Sequence, residues 1–220
     1  MNSERWYYAA DQLGIAVLQD MPQKYGGATT ATVAPFISDL TAMLAGRGNH
    51  PSILQWTAFN EGDCWQSFSV PDVVAFIQDA DPHRLVDTNS GGGANDLRIG
   101  DVNDIHAYPW PGNPRPSATQ YAMVGEFGGL GAFIPGKEWA TGKCSTYLHT
   151  PTPQDEADTY VNMTKKLLDY KASGVSVCIY TQLSDVENEC DGFYNMDRSN
   201  KFNAAQVAEI VAANRALIEA

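Results

Sequence analysis

Apolar and polar residues follow two periods along this chain, and the two take turns from one end to the other. Near-continuous apolar runs cover Ile15 to Asp20, Ile53 to Asn60, Arg84 to Thr88, Asp104 to Tyr108, Tyr121 to Glu126 and Val175 to Gln182. Runs of this kind suit strands covered on both faces, as in a parallel sheet. Helix-length segments separate them. Glu4 to Leu13 ends at Gly14, a residue suited to a left-handed C-terminal cap, and Val33 to Leu44 keeps roughly helical spacing up to the Gly46-Arg47-Gly48 break. Val70 to Ala80 carries Pro71 in its first turn, where the missing N–H leaves no helical bond unmade. Pro153 to Ser173 stops at Gly174, and a last helix is predicted over Asn203 to Leu217.

Strands alternating with helices throughout predict an α/β chain whose parallel sheet is wrapped by helices. Its 220 residues fall short of the roughly 250 typical of a closed eight-stranded α/β barrel. Residues 21–30, 109–117 and 130–153 are rich in loop formers, and long loops after barrel strands are where such enzymes build their sites. No internal repeat or low-complexity linker divides the chain, so residues 1–220 are read as one domain. The first residues, Met1-Asn2-Ser3-Glu4-Arg5-Trp6-Tyr7-Tyr8, lack the apolar core of a signal peptide and read as the start of a helix inside a domain.

Hydrophobic content of 44% and charged content of 18% describe an ordinary globular protein. No run of about 18 apolar residues occurs, so no membrane span is expected. The net charge of -12, from 14 basic and 26 acidic residues, sets the protein's field against a phosphate backbone, and nucleic acid is not an expected partner. Cys64, Cys144, Cys178 and Cys190 show no C-x-x-C spacing, which removes the common zinc and thioredoxin readings. Cys178 sits in an apolar run and is read as a small buried hydrophobe; the other three lie in polar stretches that admit a disulfide. His50, His83 and His149 fall in no ligand spacing, so neither a metal nor a cofactor is assigned.

Two carboxylates change the picture, because each closes a predicted strand and is followed at once by glycine. Glu61 ends Ile53-Leu54-Gln55-Trp56-Thr57-Ala58-Phe59-Asn60-Glu61-Gly62, and Glu126 ends Met123-Val124-Gly125-Glu126 before Phe127-Gly128-Gly129. A charged group at the C-terminal end of a barrel strand points to the mouth, where active sites form. Retaining glycoside hydrolysis needs one carboxylate to attack the anomeric carbon and one carboxylic acid to protonate the leaving oxygen, roughly 5 to 5.5 Å apart. Glutamates on two strands of one barrel mouth can meet that geometry.

Four segments, in order, resemble the catalytic barrel of glycoside hydrolase family 2 over Arg5 to Arg198. Arg5-Trp6-Tyr7-Tyr8, Ala10-Asp11-Gln12-Leu13-Gly14-Ile15 and Gln19-Asp20-Met21-Pro22 resemble a helix leading into the third barrel strand. Asn49-His50-Pro51-Ser52-Ile53 with Phe59-Asn60-Glu61-Gly62 resembles the acid/base strand, and Gly125-Glu126-Phe127-Gly128-Gly129 the nucleophile strand. Tyr180-Thr181-Gln182-Leu183-Ser184-Asp185-Val186-Glu187 resembles the final strand.

The resemblance implies an incomplete (β/α)8 TIM barrel of about six parallel strands, corresponding to strands 3 to 8, whose unpaired edges favour association. It implies a retaining exo-β-glycosidase acting on carbohydrate, β-galactosidase-like, with β-glucuronidase and β-mannosidase kept open. Glu61 is then the acid/base and Glu126 the nucleophile. Asn60 is implied to bond the sugar 2-hydroxyl, and His106 and Tyr108 of Asp104-Ile105-His106-Ala107-Tyr108-Pro109 to lie near the nucleophile. Thr181, Gln182, Asp185 and Glu187 are candidates for contacts to sugar hydroxyls or for holding the loop after the last strand. Trp65 and Trp110 are candidates for stacking on a sugar face or for pinning their own loops. Two other readings stay open: a remnant that at most binds carbohydrate, and another retaining barrel such as a family 5 endo-glucanase, against which Gln19 to Pro22 and Tyr180 to Glu187 argue.

Overall fold

The structure is a computed structural model that describes residues 1–22, 29–61, 68–92 and 97–220. Its backbone divides into two compact units, residues 1–104 with 117–121, and residues 105–116 with 122–220. Trp65 and Cys64 lie outside the described residues.

In the first unit α1 (Glu4–Leu13), β1 (Val17–Asp20), α2 (Thr30–Arg47), β2 (Ile53–Thr57), α3 (Val70–Ala80) and β3 (Leu85–Asp87) alternate. The strands form one parallel sheet in the order β1-β2-β3, with Asp20 opposite Thr57 and Thr57 opposite Asp87. Gly14 takes φ 66° and closes α1 by returning its N–H to Ala10 and Asp11, a conformation that costs an L side chain about 1 kcal/mol. Helix α2 starts three residues before its first predicted residue, because Thr29 and Thr32 make a reciprocal capping box that apolar spacing does not register. Trp56, Tyr7, Phe59, Leu40, Met43, Ile53 and Ile77 fill the core between helices and sheet.

Polar side chains set where β2 begins. Asp11 on α1 accepts from the backbone N–H of Ser52 at 2.9 Å and lies 2.7 Å from His50 Nδ1, while the imidazole stacks on Tyr7. Arg84 donates to the carbonyls of Ile53 and His50, and Trp56 Nε1 donates to Asp81. The His50-Pro51-Ser52 segment therefore ties helix α1 to the start of β2, the strand whose continuation leads to Glu61.

The second unit carries β4 (Val102–Ala107, of which 105–107 belong to this unit), β5 (Tyr121–Gly128), α4 (Pro153–Lys171), β8 (Val175–Thr181) and α5 (Ala204–Glu219). Strand order is β4-β5-β8, and β5 runs parallel to β8 from Ala122 opposite Val175 to Gly128 opposite Thr181. Phe127, Leu130, Met163, Leu167, Tyr160 and Ile210 form its core. Two short parallel strands, β6 (Leu130–Gly131) and β7 (Leu148–His149), lie in the segment read as loop from sequence. Strands of two residues are too short to carry a period. Cys144 and Cys190 form a disulfide across 46 residues, and Cys178 is half-buried against the core with its thiol pushed up by burial.

All six predicted strands and five predicted helices are present, with ends displaced by three residues at most. The α/β class with parallel sheets is thus the architecture of the chain. Neither three-stranded sheet closes on itself. Among the described residues no helix is long and apolar enough to cross a membrane.

Candidate active site

In the first unit the chain runs on from β2 to Glu61. Ala58 N donates to Asp87 O, Ser90 N to Phe59 O, and Glu61 N to Ser90 O at 2.9 Å, so the backbone through Asn60 is laid against residues 87–90. Ser90 is fixed in turn, because Asp104 accepts from its hydroxyl at 2.8 Å and from Gly91 N at 3.1 Å. Burial, and then the charge of Asp104, pushes the Asp87 carboxyl well above the usual carboxylate range. Glu61 itself is exposed and held at φ 52°. A non-glycine residue in the left-handed region is strained by about 1 kcal/mol or more, and such strain concentrates where a side chain must be aimed for function.

In the second unit three strand ends meet. Glu126 lies near the end of β5, at a break in the β5–β8 register between Val124 and Phe127. An irregularity of this kind re-aims a side chain out of the ladder's plain alternation. The Tyr108 hydroxyl donates to Glu126 Oε2, His106 Nδ1 lies 3.4 Å from the same oxygen, and the Thr181 hydroxyl lies 3.0 Å from that of Tyr108. His106 and Tyr108 are two positions apart along β4 and its continuation, so the strand period places both on one face. The His106 side chain is only 6% exposed, whereas that of Glu126 is 31% exposed. Burial, followed by the hydrogen bond to Glu126, raises the Tyr108 phenol far above its ordinary value, so it remains a donor at every working pH.

The two glycines after Glu126 have separate steric reasons. A Cβ on Gly128, at φ 102°, would lie 2.2 Å from the Tyr180 ring, and one on Gly129, at φ 60°, would lie 2.4 Å from Tyr147. Tyr147, from the segment read as loop, stacks on Tyr108 with ring centroids 3.7 Å apart and planes at 8°. Nothing in the sequence marked this residue; it stands 21 positions from Glu126 in a stretch without a period.

The remaining candidates sit differently. Gln182 donates to Asp191 at 2.8 Å. The Asp185 carboxylate, with its side chain 6% exposed, accepts from Lys201 at 2.8 Å and from Gly192 N at 2.9 Å. Glu187 is exposed at φ 50° within a turn closed by Val186 and Glu189. The bonds of Gln182 and Asp185 hold the loop after β8. Trp110 is 42% exposed, with the Lys166 ammonium of α4 5.3 Å from its ring centre, so it braces residues 109–116 against that helix. A cleft of about 650 Å³ between α4, β8 and α5 is lined by Leu167, Val175, Val177, Cys178, Leu217 and Ile218 and carries no carboxylate.

Beneath the loop lies Glu156, fully buried on α4 and accepting from Ala132 N at 2.7 Å. Burial pushes its carboxyl up to about 8, against the pull of the Lys201 charge, and burial likewise pushes Asp191 up to about 6. The folded state therefore holds these protons at pH values where the unfolded chain, titrating near 4.3 for Glu, has released them. The contribution of these two groups is full below about pH 4 and is lost progressively as pH rises from there through 6 for Asp191 and 8 for Glu156. Glu156→Gln keeps an acceptor for Ala132 and carries no proton to lose. Its denaturation midpoint is expected to vary much less between pH 5 and 9 than the parent's, and to exceed the parent's at pH 9. Parallel curves would remove Glu156 as the source of the slope.

No protein-family model and no curated protein matches the chain in sequence. Solved structures do match its fold. A family 2 β-galacturonidase from Eisenbergiella tayi bound to galacturonate aligns with a TM-score of 0.66 at 18% identity, over 97% of this chain and 43% of that one. A β-glucuronidase from Ruminococcus gnavus in complex with uronic deoxynojirimycin aligns at 0.67 and 18%, over 96% and 41%. The chain has the fold of the aligned part of these glycosidases. An uncultured Clostridium β-glucuronidase gives 0.66 at 16% identity, over 96% and 42%. The chain spans less than half the length of each.

Proposed function

We propose that this chain is part of a family 2 catalytic barrel, supplying strands 3 to 8 in the order β1, β2, β3, β4, β5 and β8. We further propose that it acts as a retaining exo-β-glycosidase. The observation that carries this reading is the convergence of Tyr108 and His106 on the carboxylate of Glu126. Donors on one oxygen favour the ionised form, and an ionised carboxylate is what attack on an anomeric carbon requires.

In the first step Glu126 forms a bond to the anomeric carbon as the glycosidic bond breaks, and Glu61 gives its proton to the leaving oxygen. In the second, Glu61 takes a proton from water, and the water oxygen displaces Glu126 from the same carbon. Two inversions leave the anomeric configuration unchanged. Asn60, beside Glu61, is assigned to the sugar 2-hydroxyl, where a hydrogen bond strengthens as positive charge develops on the ring. The outward strand edges favour association with further chain, which is part of the same proposal.

The glycone we favour is a neutral β-galactoside; the names of the structural neighbours favour a β-hexuronide as the second reading. Both are tested together by incubating the protein with aryl β-galactoside, β-glucuronide and β-galacturonide and following the first-formed sugar by proton NMR. The β-anomer of one sugar should appear first and then mutarotate. Initial α-anomer would exclude double displacement, and turnover of the uronides alone would select the second reading.

A further inference from the structure

Tyr147 is 61% exposed, so burial alone gives it little reason to be held, yet the chain around it is built to hold it. Gly129 leaves the space its ring occupies, and the Gly129 carbonyl accepts from Tyr147 N at 3.1 Å, Leu148 N at 3.0 Å and the Thr146 hydroxyl. Three residues earlier, the Cys144–Cys190 disulfide and the bonds Ser145 N to Asn188 O and Cys190 N to Ser145 O fasten the same segment to the loop after β8. What this framework presents is one flat ring laid on the ring of Tyr108.

We infer that Tyr147 is a positioning residue for Glu126, acting through Tyr108; the inference rests on the reading of Glu126 as nucleophile. The Tyr108 hydroxyl sits at the far end of its ring, so a tilt of that ring carries the hydroxyl off the carboxylate. A parallel ring at 3.7 Å blocks the tilt on one side. The groups facing the pair are His106 beside Tyr108 on β4, Glu126 on β5 and Thr181 on β8, with Glu189 and Asp191 lining a small cavity with Tyr147. With the stack removed, Glu126 loses a donor that favours its charge.

The test compares Tyr147→Ala and Tyr147→Phe with the parent by the pH dependence of kcat/KM, whose acid limb reports the ionisation of the nucleophile in the free enzyme. Tyr147→Ala should move that limb to higher pH by about one unit, the size of a lost hydrogen bond to a carboxylate. Tyr147→Phe keeps the ring and should restore the parent profile. A position so exposed leaves the fold intact in both, which thermal unfolding verifies. Labelling by a 2-fluoro glycoside separates the two levels of the claim. Label on Glu126 with an unmoved acid limb in Tyr147→Ala, or with Phe as damaging as Ala, overturns the role of Tyr147. Label on another carboxylate overturns the reading of Glu126 itself.

Discussion

Glu126→Ala is expected to lower turnover by on the order of 10⁶-fold, as removal of a covalent nucleophile does elsewhere, and added azide is expected to restore part of it. Alanine leaves no oxygen to form the glycosyl intermediate, and it opens a space below the anomeric carbon that a small anion can enter. Azide then attacks from the face Glu126 used and, by a single inversion, yields an α-configured glycosyl azide, which chromatography identifies. The surrounding donors sharpen the expectation. Tyr108 and His106 both approach Glu126 Oε2, so their removal weakens the nucleophile without abolishing it, whereas loss of Glu126 removes the bond-forming atom. Tyr108→Phe should therefore retain turnover well above that of Glu126→Ala. Undiminished turnover in Glu126→Ala, or a β-configured azide product, would transfer the role to another residue.

Glu61→Gln should separate substrates by leaving group. Protonation of the leaving oxygen by a placed acid contributes about 10²–10⁴-fold, and glutamine has no proton to give. Glycosides whose leaving alcohol is weakly acidic should lose rate by that factor. Dinitrophenyl glycosides, whose phenolate departs unaided, should keep nearly all of their first-step rate. A plot of log kcat/KM against leaving-group pKa is expected to steepen markedly in the variant. The substitution is nearly isosteric at an exposed side chain whose backbone is pinned by Glu61 N to Ser90 O, so a folding defect is not expected to intrude. Equal losses across the series would give Glu61 another role and leave the acid unassigned.

Both glutamates were legible because the signals that mark them are local. A run from Ile53 ending in Asn60-Glu61-Gly62, and one from Tyr121 ending in Gly125-Glu126, state in a few consecutive residues where each strand starts, although β2 itself stops at Thr57 and β5 runs on to Gly128. The glycines were legible as a motif but not as a cause. Only the structure shows that Gly128 clears Tyr180 and Gly129 clears Tyr147.

The sequence by itself determined the order and type of the main elements and the placing of one glutamate just beyond β2 and another near the end of β5, because period and capping depend on neighbours within a few residues. Tertiary structure alone decided which distant groups meet. Asp11 reaches His50 and Ser52, Tyr147 returns across 39 positions to stack on Tyr108, and Cys144 chooses Cys190. Asp185 follows the same rule: the family resemblance left it as a sugar contact or a loop brace, and only the fold shows its bond to Lys201, 16 residues on. Such meetings depend on where the chain reverses and how far apart packed elements come to rest, and neither leaves a periodic trace in the residues that meet.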